Sequence, residues 1–201
     1  ELCPACARGD AGICENRTGG DLQAGVLTGS CASTGGSWSE SFVAHESQLL
    51  RVPEGVSDEN AVLSEPLAVA LHAVLRHPPP EGGTALVLGA GVIGLCIVAG
   101  LRALGYANTV VAVARHPFQA ELARRLGGDL VLSPGDEPAL AAALGARLER
   151  PVLGPPLVSG GAEVVYECVG SDSSLDTAIR FTREGGTAVM LGLAAVPKGV
   201  D

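Results

Sequence analysis

Residues Thr84 to Gly105 read TALVLGAGVIGLCIVAGLRALG. Ala85-Leu86-Val87-Leu88 is a short apolar, β-prone run. Gly89, Gly91 and Gly94 follow in G-x-G-x-x-G spacing, and Leu95 to Leu104 then carries a helix-like apolar pattern. A strand, a glycine turn and a helix in that order make the phosphate-binding turn of a dinucleotide fold. In such a turn Gly89 makes the tight bend, Gly91 has no β-carbon to block a pyrophosphate, and Gly94 lets the helix close onto the strand. The free N–H groups around Val92 and Ile93 would point at the phosphates, helped by the helix dipole. A membrane span is the alternative, because residues 82–101 carry no charge and a crossing helix needs roughly 20 apolar residues. Six glycines in that stretch, and its change in character from β-prone to helical, favour the nucleotide turn.

Downstream, β-prone and helical segments alternate. The pattern predicts strands at Ala85–Leu88, Thr109–Val113, Leu130–Ser133, Glu163–Glu167 and Thr187–Leu191. It predicts helices at Val92–Leu104, Pro117–Leu126, Glu137–Leu148 and Ser173–Thr182. Continuous apolar strands between helices predict an α/β fold, a doubly wound parallel sheet covered on both faces. Residues 149–162, rich in Pro and Gly, read as an unusually long connection. Five strands are present where such a fold usually has about six, and the chain stops about where a sixth would follow. No internal repeat is visible.

Upstream, residues 1–37 are rich in Gly, Cys, Ser and Thr and read as loop. Two short strands are expected at Ser41–Ala44 and Gln48–Val52. Ser57-Asp58-Glu59-Asn60 supplies helix caps, and a second helix is expected from Pro66 to Arg76. The segment from His77 to Gly83 (HPPPEGG) reads as a linker, which places a domain boundary between residues 80 and 81.

The 201 residues are 47% hydrophobic and 17% charged, enough for a sizeable core. A net charge of −9 and only six aromatic residues argue against nucleic acid as a partner, which requires a basic face or stacking platforms. The single methionine, Met190, implies that the chain does not begin at a translational start. No signal peptide or lipidation motif is visible. Three of six cysteines cluster within the first fourteen residues, and a reducing, cytoplasmic setting fits this usage best.

An NAD site usually places an acid at the end of the second strand, roughly 20 residues after the glycines, to bind the ribose 2′-OH. Here that strand is followed by Ala114, Arg115 and His116, and no acid lies between Gly83 and Glu121. A guanidinium gives forked, charge-assisted bonds to a 2′-phosphate, so NADP(H) is favoured over NAD(H), with His116 assisting Arg115. The alternative is a solvated arginine at a helix start.

Cys3, Cys6 and Cys14 stand as C-x2-C-x7-C in a loop with Pro4, Gly9 and Gly12. Thiolates at such spacing suit tetrahedral zinc, although three are one short of a closed structural site. The segment resembles the structural-zinc lobe of the zinc-dependent alcohol dehydrogenases, within the medium-chain dehydrogenase/reductase superfamily. In that resemblance the three cysteines match the last three of four ligands, and the first falls just before Glu1. Trp38-Ser39-Glu40-Ser41-Phe42-Val43 and Val52 to Ser57 are similar to the family's return strand and following loop. Glu65-Pro66-Leu67 is similar to the E-P-L segment of its polyol and threonine dehydrogenase branches.

The resemblance implies a remnant of a GroES-like catalytic domain over residues 1–80 and a Rossmann domain with five of its six strands over 81–201. It makes Glu65 the one catalytic residue at the active-site zinc in this chain; a carboxylate capping the following helix is the alternative. It places Cys168, Val169 and Gly170 along the cofactor cleft and Leu191, Gly192 and Leu193 at the nicotinamide. Cys168 is then a wall residue. Cys31 and Cys96 read as packing, and His45, His72 and His77 as structural. The parent is implied to be a homodimer or homotetramer that moves a hydride between NADP(H) or NAD(H) and a small alcohol, polyol or matching carbonyl, with zinc. The remaining catalytic-zinc ligands are not in these residues, so the chain alone is expected not to turn over alcohols. A zinc-independent quinone reductase of the same superfamily and a non-catalytic nucleotide-binding module remain the rivals.

Overall fold

The computed structural model describes residues 3–18, 36, 38–42, 44, 46, 49–106, 108–154 and 156–193. The backbone divides into two compact units, Glu1–Val56 and Ser57–Asp201.

In the first unit Pro4–Ala7 forms the short helix α1, followed by 3-10 turns at Ala11–Ile13 and Glu15–Thr18. Of the two strands expected at Ser41–Ala44 and Gln48–Val52, the described residues, Ser41, Phe42, Ala44 and 49–52, belong to no strand, and Gln48 lies outside the described residues. Alternation over four or five residues specifies which face is apolar but supplies no ladder partner, and an isolated pair of strands is marginal in water. Val43, Cys31 and His45 lie outside the described residues.

The second unit begins with α2 (Asp58–Ala61) and α3 (Ser64–Arg76). The latter starts before the expected Pro66, which sits inside the first turn, where an N–H has no intrahelical partner to lose. Then follow β1 (Thr84–Leu88), α4 (Val92–Ala103), β2 (Thr109–Val113), α5 (Pro117–Arg125), β3 (Leu130–Leu132) and α6 (Glu137–Ala143). A hairpin, β4 (Arg147–Glu149) and β5 (Leu157–Ser159), leads to β6 (Ala162–Glu167), α7 (Asp172–Phe181) and β7 (Thr182–Met190).

Five strands form one sheet in the order β3-β2-β1-β6-β7, parallel at every pairing. This is the doubly wound arrangement expected, and the order reverses at β1. Leu86 pairs with Val111 on one side and Val165 on the other. The period of two then separates two cores. Ala85, Val87, Val110, Ala112, Val164 and Tyr166 pack with residues of α3, α4 and α5. Leu86, Leu88, Val111 and Val165 pack with residues of α6 and α7. Both faces are covered, which is why the strands read as unbroken apolar runs. Phe181, Ile97 and Leu101 are fully buried, each worth about 1.5–3 kcal/mol.

At the edge of the sheet opposite the glycine turn, Arg102 acts as a hub. Its guanidinium donates to the carbonyls of Gly127 (2.9 Å), Tyr106 (3.0 Å) and Asn108 (2.9 Å), and to Asp129 Oδ2 (2.6 Å).

Two expectations require correction in the α6 region. The helix ends at Ala143, not Leu148, because Gly145 takes φ +62° and Ala146 N–H bonds back to the Ala141 carbonyl at 2.8 Å. That is a glycine C-terminal cap. The chain then turns into β4, which pairs antiparallel with β5, so much of the expected long connection is an ordered hairpin. In addition, β7 begins at Thr182 rather than Thr187, with a register irregularity near Ala162 and Val164.

Candidate cofactor cleft and metal centre

The carboxyl ends of the central strands meet at one edge of the sheet. Gly89 N–H bonds to the Val113 carbonyl (3.1 Å), Cys168 N–H to Leu88 (2.9 Å) and Leu191 N–H to Glu167 (2.8 Å). These bonds bring together the turn after β1, the loop after β6 and the loop after β7, which is the expected grouping of Gly89, Cys168 and Leu191.

The three glycines of the turn differ in what surrounds them. Gly89 takes φ +93°, and a β-carbon on it would stand 2.5 Å from Val169 Cγ2. A β-carbon on Gly94 would overlap the Gly89 carbonyl oxygen and press on Val87. Gly91, the N-cap of α4, has ordinary extended backbone (φ −76°, ψ −171°), and a β-carbon there would meet nothing within 4 Å. Packing among the described residues therefore explains Gly89 and Gly94 and leaves Gly91 facing open space among them. Val92 and Ile93 open the helix beyond it, with Val92 exposed. A bare backbone at a helix N-terminus beside the sheet's switch point fits a pyrophosphate.

At the end of β2, Ala114 is buried and its N–H bonds to the Leu132 carbonyl at 2.9 Å. Arg115 and His116 are exposed, and Arg115 joins no ion pair among the described residues. His116 is the N-cap of α5; its N–H donates to Gln119 Oε1 at 3.3 Å. Its ring stacks on Phe118, with centroids 5.7 Å apart and planes at 8°. Phe118 is legible in sequence only as an aromatic two places after the histidine.

On the other side, burial, and next the charge of Glu167, push the Cys168 thiol up to about 12. It is a neutral thiol that donates to the Tyr166 carbonyl at 3.7 Å. Gly170 and Gly192 approach each other so closely that a β-carbon on Gly170 would lie 2.7 Å from Leu193 backbone atoms. Val169 and Leu193 are exposed at this rim. Glu167, fully buried at the end of β6, holds both loops. Sequence reading does not single it out, though an acid ending the apolar run Val164-Val165-Tyr166 is a signal.

Glu65 and Leu191 line one cavity of about 700 Å³, together with Val69, His72, Arg76 and Met190. Glu65, Val69, His72 and Arg76 recur at helical spacing along one face of α3. Glu65 lies in the first turn of α3 without a side-chain capping bond, so its position favours the dipole but closes no cap. It is one carboxylate. Among the described residues no set of three donors surrounds it, so a catalytic zinc site is not assembled by these residues.

The cysteine lobe does bring three donors together. The sulfur atoms of Cys3, Cys6 and Cys14 all lie within 4.8 Å of one another, and Cys3 Sγ is 4.0 Å from Cys14 Sγ. Zinc–sulfur bonds of about 2.3 Å in a tetrahedron set sulfurs about 3.8 Å apart, so small side-chain shifts would seat the ion. Cys3 Sγ accepts from the N–H groups of Cys6 (3.4 Å) and Glu15 (3.5 Å). These bonds lower its thiol to about 7, while Cys14 and then Cys3 raise Cys6 to about 12. Cys6 is raised by its two thiol neighbours, an opposition to ionisation that a bound cation would relieve.

No described helix is long and apolar enough to cross a membrane; α4 follows a strand and ends at Ala103.

Residues 92–201 match the family model of the zinc-binding dehydrogenases. A sorbitol dehydrogenase of Macaca fascicularis is 34% identical over 145 residues, 72% of this chain and 38% of its own length. An (R,R)-butanediol dehydrogenase of Saccharomyces cerevisiae is 29% identical over 191 residues, 95% of this chain and 45% of its own. Among solved structures, a zinc-binding dehydrogenase from Sinorhizobium meliloti 1021 bound to NADP superposes with a TM-score of 0.72 at 29% identity, covering 99% of this chain and 53% of that one. The chain thus spans about half the length, or less, of the proteins it matches. With the parallel sheet, the glycine turn and a family match over more than half its residues, this chain belongs to the zinc-binding dehydrogenase family.

Proposed function

We propose that this chain is the cofactor-binding part of an alcohol or polyol oxidoreductase that moves a hydride between a CH–OH carbon and NADP(H), with NAD(H) as the alternative cofactor. The observation that carries the reaction is that Glu65 and Leu191 line one cavity, which puts the candidate metal carboxylate beside the candidate nicotinamide loop. The names of the relatives, sorbitol and butanediol dehydrogenases, support the substrate class, and the NADP-bound neighbour supports the cofactor. When bound, the nicotinamide supplies the hydride chemistry and zinc the Lewis-acid polarisation of the substrate oxygen.

The chain's own residues bind and orient. Gly89, Gly91 and Gly94, with the N–H groups of Val92 and Ile93, take the pyrophosphate. Ala114, Arg115 and His116 take the 2′-phosphate end. Cys168, Val169, Gly170, Leu191, Gly192 and Leu193 wall the nicotinamide end and exclude water. Cys3, Cys6 and Cys14 hold a structural zinc, and among the described residues Glu65 is the one donor offered to a catalytic zinc. One donor is short of the three protein ligands such a site takes, so this chain binds cofactor without oxidising alcohols unaided.

Calorimetric titration with NADPH and with NADH tests the reading. A preference of about tenfold for NADPH, close to 1.4 kcal/mol, that disappears in Arg115→Ala is the expected result. Tighter NADH overturns the role of Arg115. An alcohol-dependent rise in reduced cofactor with this chain alone overturns the statement on turnover.

A further inference from the structure

Glu167 lies where the two nicotinamide-side loops meet. It ends β6, between Leu88 of β1 and Met190 of β7 in the sheet register, and is fully buried. Its side-chain Oε1 accepts from Val169 N–H at 2.8 Å and Gly170 N–H at 2.9 Å. Its main-chain carbonyl accepts from Leu191 N–H at 2.8 Å and Gly192 N–H at 3.0 Å. One residue thus bonds both loops, the first through its side chain and the second through its backbone.

The other carboxylate oxygen, Oε2, is buried and has no hydrogen-bond partner among the described residues. A β-carbon on Gly192 would stand 2.6 Å from Oε2 and would overlap the Gly170 nitrogen. The two loops therefore close over the carboxylate through two glycines, Gly170 and Gly192. Leaving a polar oxygen unpaired in the interior is costly. One oxygen accepting two bonds is the pattern by which a carboxylate fixes successive backbone N–H groups.

We propose that Glu167 is a positioning residue: it locks Cys168–Gly170 and Leu191–Leu193 in mutual register, so that the nicotinamide end of the dinucleotide is held in one orientation. This rests on the cofactor reading above. Glu167 acts through the loops and touches no reacting atom. It bears chiefly on the nicotinamide half of the ligand: the Arg115 end lies across β1, and the glycine turn meets the Glu167-held loop only through Val169 beside Gly89, its own backbone bonds not involving Glu167.

The test compares two ligands on the same chain: NADPH, and 2′-phospho-ADP-ribose, which has the same adenosine and pyrophosphate but no nicotinamide. Glu167→Met fills the same buried volume without an acceptor, and Glu167→Gln keeps the accepting oxygen. The expected result is that Glu167→Met weakens NADPH binding about tenfold, leaves 2′-phospho-ADP-ribose within about twofold, and that Glu167→Gln restores most of the NADPH affinity. Equal weakening of both ligands, or of neither, overturns the proposal, since a general loosening of the fold would not discriminate between them. A wild-type chain that binds neither ligand overturns the cofactor reading itself, and the positioning role with it. If Glu167→Met does not fold, amide exchange in the wild type decides. Slower exchange of Val169 and Gly170 with NADPH than with 2′-phospho-ADP-ribose supports the proposal, and equal exchange overturns it.

Discussion

The carbonyl oxygen of Gly89 sits against the α-carbon of Gly94, in the space a β-carbon on Gly94 would need. This contact lets α4 close onto β1, so that Ile97, Val98 and Leu101 reach the sheet. Gly94→Ala forces backbone against backbone, where no side chain can turn aside. A loss of about 3 kcal/mol or more in unfolding free energy is expected, read from urea denaturation. An unchanged midpoint would mean that α4 does not approach β1 as described.

A second prediction concerns acid. Arg180 donates to both carboxylate oxygens of Glu137, at 2.7 and 3.0 Å, and this bonding holds the Glu137 carboxyl below its ordinary value of 4.5. A carboxyl with a depressed folded value adds stability that is present above the unfolded value and is lost as pH falls through the folded one. Both partners are partly exposed, so the contribution is about 0.5–1 kcal/mol and shrinks with salt. Glu137→Gln should melt lower than wild type at neutral pH, and the gap should close below about pH 4. A gap that persists in acid would show that the pair contributes through packing.

The metal lobe gives a third. Cobalt(II) placed on Cys3, Cys6 and Cys14 should produce a thiolate charge-transfer band, and Cys6→Ser should remove about one third of it. Zinc affinity should rise with pH, because thiols must lose protons to bind. A cobalt spectrum without the thiolate band would place the metal elsewhere.

The sheet was legible because its chemistry is local and repeated. Ala85–Leu88 and Thr109–Val113 are apolar at every position or nearly so, which only strands covered on both faces require. The glycine turn was legible for the same reason: spacing alone states its geometry. The hairpin β4–β5 was not. Arg147-Leu148-Glu149 has the composition of a helix end, and only pairing with Leu157–Ser159 makes it a strand. Gly145, whose positive φ ends α6, stands between residues of helical propensity, so composition does not mark the helix end there. Glu167 shows the limit most clearly. Its acid stands next to Cys168 in sequence, while its meaning comes from Gly192, which the fold brings beside it. The cavity shared by Glu65 and Leu191 is likewise a product of packing between α3 and β7 that no spacing encodes.

The central claim is that a dinucleotide pyrophosphate lies on the turn at Gly91, and one substitution tests it most directly. Gly91 has extended backbone and faces open space, and it caps α4, where aspartate is a favoured residue. Gly91→Asp should therefore melt at or above the wild-type temperature. Its carboxylate would occupy and repel the pyrophosphate position, and calorimetric titration should show NADPH affinity lower by about a hundredfold. Wild-type affinity in a fully folded Gly91→Asp chain would contradict the claim and put the cofactor somewhere other than this turn.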